Sequence, residues 1–225
     1  MVMDDFNLIQ SHQQLYCISP SLVVQWQKVR SILRFVGTHY LEDFDFFYQG
    51  GDDMYLLPEN LRSFLADQVS DPTTEDYFGG RRFKQIGKGR IFNTGGPGYA
   101  LSQATLRKLN TTSLDKCSVN SRTSEEDVYI TQCLKDFHGI DVVDTRDDQK
   151  RERFHHFTPG WHYNWEPKKS GHWGKWDWYG VYTKLWPPKL REDCCAPDTI
   201  SFHFMQRPAT VRHLHALLYF CGEQQ

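Results

Sequence analysis

Phe44-Asp45-Phe46-Phe47-Tyr48-Gln49-Gly50-Gly51-Asp52-Asp53-Met54-Tyr55-Leu56-Leu57-Pro58 is the stretch whose reading decides the fold. Its aromatic start, Phe44 to Tyr48, reads as a short buried strand; Gly50-Gly51-Asp52-Asp53 reads as a turn, and Met54 to Leu57 as a second strand. Pro58 suits the first turn of a helix carrying Leu61, Phe64 and Leu65, because the N–H that proline lacks has no intrahelical partner there.

Upstream, Leu22, Trp26, Val29, Leu33, Val36 and Tyr40 recur in steps of four and three, one face of an amphipathic helix opened by Ser19-Pro20. Downstream, strands are expected at Tyr77-Phe78 and Arg90-Ile91-Phe92, then a turn at Gly95-Gly96-Pro97-Gly98 and a helix near Ser102 to Leu109. A helix from Glu125 to about His138 is predicted with Ser124 as its cap, Asp127 closing a capping box and Gly139 as its stop. Ile140 to Val143 and Ile200 to Phe204 read as strands and Thr210 to Phe220 as a last helix. The alternation predicts one α/β domain over residues 1–225 with a largely parallel sheet.

Composition narrows the function classes. Lys and Arg number 26 against 28 Asp and Glu, a net charge of −2, which argues against a nucleic-acid partner. The most apolar long window, Leu22 to Leu41, carries Gln25, Gln27, Lys28, Arg30 and Arg34 and cannot sit in hydrocarbon. Met1-Val2-Met3-Asp4-Asp5 lacks the basic and apolar regions of a signal peptide. The 6 cysteines contain no CxxC pair, so free buried thiols and disulfides in an oxidising lumen both remain open; Asn110-Thr111-Thr112, a glycosylation triplet, favours the lumen.

Five constellations could carry chemistry. Asp52-Asp53 after an apolar strand could hold a divalent cation on nucleotide phosphates, or simply face water. His203, within Ile200-Ser201-Phe202-His203-Phe204, could complete that site with Asp53 or be a hydrogen-bonded core residue. Glu126-Asp127 in the first turn of a helix could supply a general base, Asp127, or only the capping box. Gly95 and Gly96 could bring backbone close to a ligand, or form a plain turn. Six of the 7 tryptophans fall between Trp161 and Trp186; Trp173, Trp176, Trp178 and Tyr179 could stack on sugar rings, or plug a core under a long loop. His155-His156 with His162 lacks the matching second pair of a zinc motif.

In order, these pieces resemble the β1,3-glycosyltransferases of family thirty-one, most closely the core 1 β1,3-galactosyltransferase and Fringe-like group. The resemblance runs from His39-Tyr40-Leu41-Glu42-Asp43 and Asp52-Asp53-Met54 through Phe78-Gly79-Gly80-Arg81-Arg82-Phe83 and Thr94-Gly95-Gly96-Pro97-Gly98-Tyr99. It continues with Glu126-Asp127-Val128, Asp144-Thr145-Arg146-Asp147, Phe154-His155 and Cys194-Cys195 to Ser201-Phe202-His203.

The resemblance implies a GT-A fold, a UDP-sugar donor, Mn²⁺, and an inverting transfer of a hexose, galactose foremost, to a glycan or glycoprotein acceptor such as O-linked GalNAc. By resemblance Asp53 and His203 are metal ligands, Asp52, Gly95 and Gly96 line the nucleotide, and Asp127 is the base. Glu126, Trp176, Trp178 and Tyr179 then touch substrate, the segment from about 160 to 190 forming the acceptor side. A Cys117–Cys133 disulfide, a Golgi-luminal type II membrane protein and a possible homodimer are also implied; the partners of Cys194 and Cys195 stay open. The chain departs from the family in having Gly51 where a third aspartate is usual, and in starting near the helix before that motif, so that anchor, stem and first βα units are expected to be missing. A non-catalytic chaperone or lectin-like paralogue is the alternative that Gly51 suggests.

Overall fold

The computed structural model describes residues 24–167 and 177–220. Ser19-Pro20, Leu22, Cys17, Cys221, Trp173 and Trp176 lie outside the described residues.

Helix α1, Gln25–His39, turns Trp26, Val29 and Leu33 inward, as the four-three spacing requires. They pack with Ile130, Cys133 and Leu134 of α5, Glu126–His138, with Leu106 of α3, Gln103–Lys108, with Leu114 of α4, Leu114–Lys116, and with Leu109 between α3 and α4. A Cys117–Cys133 disulfide crosses this core, as the resemblance implies. Gly139 ends α5 with φ +68, a left-handed cap that favours glycine.

Among the described residues, three small sheets carry the rest. Strand β1, Phe46–Gln49, pairs antiparallel with β6, Tyr99–Ser102, and β6 pairs antiparallel with β3, Phe78–Gly80. Strands β4, Arg82–Lys84, and β5, Ile91–Asn93, form a hairpin. Strand β8, Ser201–Phe202, lies between β2, Tyr55–Leu56, antiparallel, and β7, Phe154–His155, parallel. Helix α2, Pro58–Gln68, begins at Pro58 as expected.

The largely parallel sheet is therefore corrected: among the described residues only β7–β8 pairs as parallel strands. Strands β3 to β6 follow one another with no helix between them, and a parallel pair needs a crossover of a dozen or more residues. Ile140 to Val143 contributes one bridge, Val143 to Gly79, rather than a strand. The capping box is also corrected. Glu125 is the N-cap of α5 and caps nothing with its side chain, while the Asp127 carboxylate turns to the neighbouring glycine loop. The described part of the aromatic segment holds two short helices, α6, Pro159–Asn164, and α7, Trp178–Tyr182. Helix α8, Pro208–Tyr219, closes the described chain, and no helix among the described residues is long and apolar enough to cross a membrane.

Candidate active site

Pairing of Tyr55 with Phe202 draws the turn before β2 and the residues after β8 together, and Met205 N–H donates to the Asp53 carbonyl at 2.7 Å. His203 Nε2 thus lies 3.0 Å from Asp53 Oδ1. The other ring nitrogen, Nδ1, faces the His156 carbonyl at 3.1 Å. A carbonyl can only accept, so Nδ1 donates to it, and in the tautomer with Nδ1 alone protonated the Nε2 lone pair faces a carboxylate. Two acceptors in contact require a proton or a cation between them. Gln206 Nε2 donates to the second oxygen of Asp53 at 3.3 Å. Asp52 is exposed, and its side chain makes no hydrogen bond or ion pair among the described residues. A Cβ on Gly51 would stand 3.0 Å from Asp53 Oδ1 and 3.9 Å from His203 Nε2, so the residue missing from the acidic motif would have faced this pair.

The second half is built at the start of α5. Asp127 Oδ2 accepts the Gly95 N–H at 2.9 Å and Oδ1 accepts the Val128 N–H at 2.8 Å. Burial pushes its pKa up to about 6, against the backbone N–H groups of Gly95, Val128 and Asp127 itself that pull it down. Glu126, 9% exposed, titrates well above the usual carboxylate range, first because of burial and then because of Asp127 beside it. Its Oε2 has no hydrogen-bond partner among the described residues.

Gly95 and Gly96 join the halves. A Cβ on Gly95 would fall 2.1 Å from Glu126 Oε1, and one on Gly96 would fall 2.5 Å from His203 Nδ1. Both glycines make room for functional side chains, a reason for glycine beyond the approach to a ligand expected from sequence.

A cleft of about 320 Å³ opens beside Asp127, walled by Phe83, Phe92, Thr94, His156, Trp178 and Tyr182. Trp178 is thus where an aromatic platform was expected. Tyr179 is not: at 2% exposure it is a core residue, packed on Phe83, Trp161 and Trp165. Helical geometry explains the difference, because adjacent residues of α7 leave the axis in different directions. In this segment Trp178 lines the cleft and Tyr179 plugs the core. His156 was missed as a site residue, though it carries the carbonyl that orients His203 and lines the cleft. The His155-His156 doublet after Phe154 was its only trace in the sequence.

No family model matches the chain. It is 32% identical over 196 residues to glycoprotein-N-acetylgalactosamine 3-beta-galactosyltransferase 1 of Xenopus laevis, a match covering 87% of this chain and 50% of that protein. Human chondroitin sulfate synthase 3 is 27% identical over 138 residues, 58% of this chain and 16% of the relative. Human chondroitin sulfate glucuronyltransferase is 30% identical over 141 residues, 62% of this chain and 17% of the relative. The chain spans half the length of the first of these relatives and less of the others.

Proposed function

We propose, from the premise that this chain is a relative of the β1,3-glycosyltransferases, that it carries the reaction centre of an inverting UDP-sugar β1,3-hexosyltransferase. The observation that carries this reading is the meeting of Asp53 with His203 and of Asp127 with the cleft on two consecutive glycines. Galactose is the donor sugar we favour and O-linked GalNAc the acceptor, by analogy with the name of the galactosyltransferase relative. A GT-A fold and the Golgi lumen belong to the same proposal, and the Cys117–Cys133 disulfide suits an oxidising compartment.

Asp53 and His203 suit Mn²⁺: an oxygen and an imidazole nitrogen face each other, and the His156 carbonyl fixes the tautomer that presents the lone pair. When bound, such a cation offsets charge on the departing diphosphate as a Lewis acid. Asp127 takes the proton of the acceptor hydroxyl as its oxygen bonds to the anomeric carbon and the bond from that carbon to the UDP oxygen breaks. A single displacement inverts the anomeric centre. The Gly95 and Val128 N–H groups hold the carboxylate in one orientation, and a pKa near 6 leaves it ionised at neutral pH while keeping it more basic than an exposed aspartate. Trp178 and Tyr182 offer ring faces to the apolar side of a sugar.

The test is incubation with UDP-galactose, Mn²⁺ and an aryl α-GalNAc acceptor, with linkage analysis of the product. A β1,3-linked disaccharide is expected. Binding of UDP and Mn²⁺ without transfer from any UDP-sugar would overturn the catalytic reading and assign Gly51 to a non-catalytic relative.

A further inference from the structure

His155 and His162 play no part in the proposed transfer, yet both are buried and their rings lie 5.1 Å apart. One ligand atom each from His155, His162 and Cys194 lie within 4.8 Å of one another. Cys195 Sγ adds a fourth group, 3.9 Å from His155 Nδ1. Cys194 and Cys195 are joined to each other, one of the pairings that the sequence left open. Cys195 takes φ +83, the left-handed region that a residue with a Cβ seldom adopts.

The ring of His155 is set for a ligand. Thr199 Oγ1 gives its own proton to the Ala196 carbonyl at 2.6 Å, so at 3.3 Å it can only accept from His155 Nε2. The Nδ1 lone pair is left facing sulfur. His162 Nε2 accepts the Phe157 N–H at 3.1 Å, which holds that ring in place beside the pair.

We propose that reduction of the Cys194–Cys195 disulfide turns this cluster into a zinc site, with His155 Nδ1 and the two cysteine sulfurs as ligands and His162 as the neighbouring imidazole. Two equivalents of a low-molecular-weight thiol supply the electrons and become a disulfide; each cysteine gains a proton, and both protons leave when the thiolates bind the cation. Sulfur and imidazole donors select zinc over magnesium or calcium, and an acceptor on the far nitrogen, here the Thr199 hydroxyl, orients a ligating histidine. The site stands behind the transfer centre, since the His155 carbonyl accepts the His203 N–H at 3.0 Å, but it does not depend on the transfer reading.

Cobalt(II) is the probe. The full chain is reduced with a phosphine, checked by circular dichroism, and titrated anaerobically. One equivalent with a thiolate-to-cobalt absorption band, bleached by Zn²⁺, is expected; the oxidised chain should show no band. Cys194→Ser with Cys195→Ser should abolish the band, Cys117→Ser with Cys133→Ser should keep it, and His155→Ala should weaken binding at least about tenfold. Asp53→Ala should leave the band intact, which separates this site from the Mn²⁺ site. Absence of the band in reduced, folded protein, its survival without Cys194 and Cys195, or unfolding of the reduced chain before cobalt binds would each overturn the proposal.

Discussion

The two halves of the candidate site solve opposite electrostatic problems. At the start of α5, burial pushes the carboxyl groups of Glu126 and Asp127 upward, backbone N–H groups partly hold Asp127 down, and Glu126 Oε2 has no hydrogen-bond partner among the described residues. Around β7 and the residues after β8, the buried imidazoles of His155, His156 and His162 gather near the Asp53–His203 pair. Burial lowers His155 and His156 to about 3 and holds His162 well below its usual value, with Arg81 adding repulsion to each. One half therefore gathers carboxyl groups that burial raises, and the other gathers imidazoles that burial lowers, beside the Asp53–His203 pair. Gly95 and Gly96 are the seam between them.

The largest expected effect falls on the carboxylate half alone. Asp127→Asn removes the proposed base and nearly preserves shape, so kcat should fall by about 10²–10⁴-fold while UDP affinity changes less than about twofold. Steady-state transfer with parallel calorimetry checks both, and a loss of kcat under about tenfold places the base elsewhere.

Next comes the seam. Gly96→Ala drives a Cβ into the His203 ring and should weaken Mn²⁺-supported UDP binding by about 10–100-fold, whereas Gly95→Ala strikes Glu126 and should lower kcat with UDP binding nearly intact. Equal losses of binding in both variants would dissolve the distinction between the halves.

The pH profile is smaller in reach. With Asp127 near 6, kcat should fall about tenfold per unit below pH 6 and level off above it. Stability gives the smallest signal. A carboxyl group raised by folding is stabilising when protonated, and that stabilisation is lost as pH rises through about 6. The melting-temperature advantage of Asp127→Asn should therefore grow from pH 5 to pH 7.5, by about 2–4 °C if the difference is on the order of 1 kcal/mol. The imidazoles work in the other direction: His155 and His156, lowered to about 3, add stability that is present above their unfolded value and lost as pH falls toward 3.

What was legible in the sequence was local. The four-three spacing of Trp26, Val29 and Leu33 fixed α1, Pro58 the start of α2 and Gly139 the end of α5, because each depends on neighbours along the chain. Strand β6 was not legible: Tyr99 to Ser102 follows a glycine run and takes its conformation from β1 and β3 on either side. Strand direction was misread for the same reason, since it is a property of partners distant in sequence. In the site, Asp53, His203 and Asp127 were named from residue type and order, but the carbonyl of His156 has no signature in any side chain. Tyr179 and Trp178 differ only in which way a short helix turns them.

The most direct test of the joint site is calorimetry of UDP on the intact chain, with and without Mn²⁺, for the parent, Asp53→Ala and Asp127→Asn. One site built from both halves predicts Mn²⁺-dependent UDP binding in the parent, its loss in Asp53→Ala and its retention in Asp127→Asn. UDP binding that needs no metal and survives Asp53→Ala would contradict it.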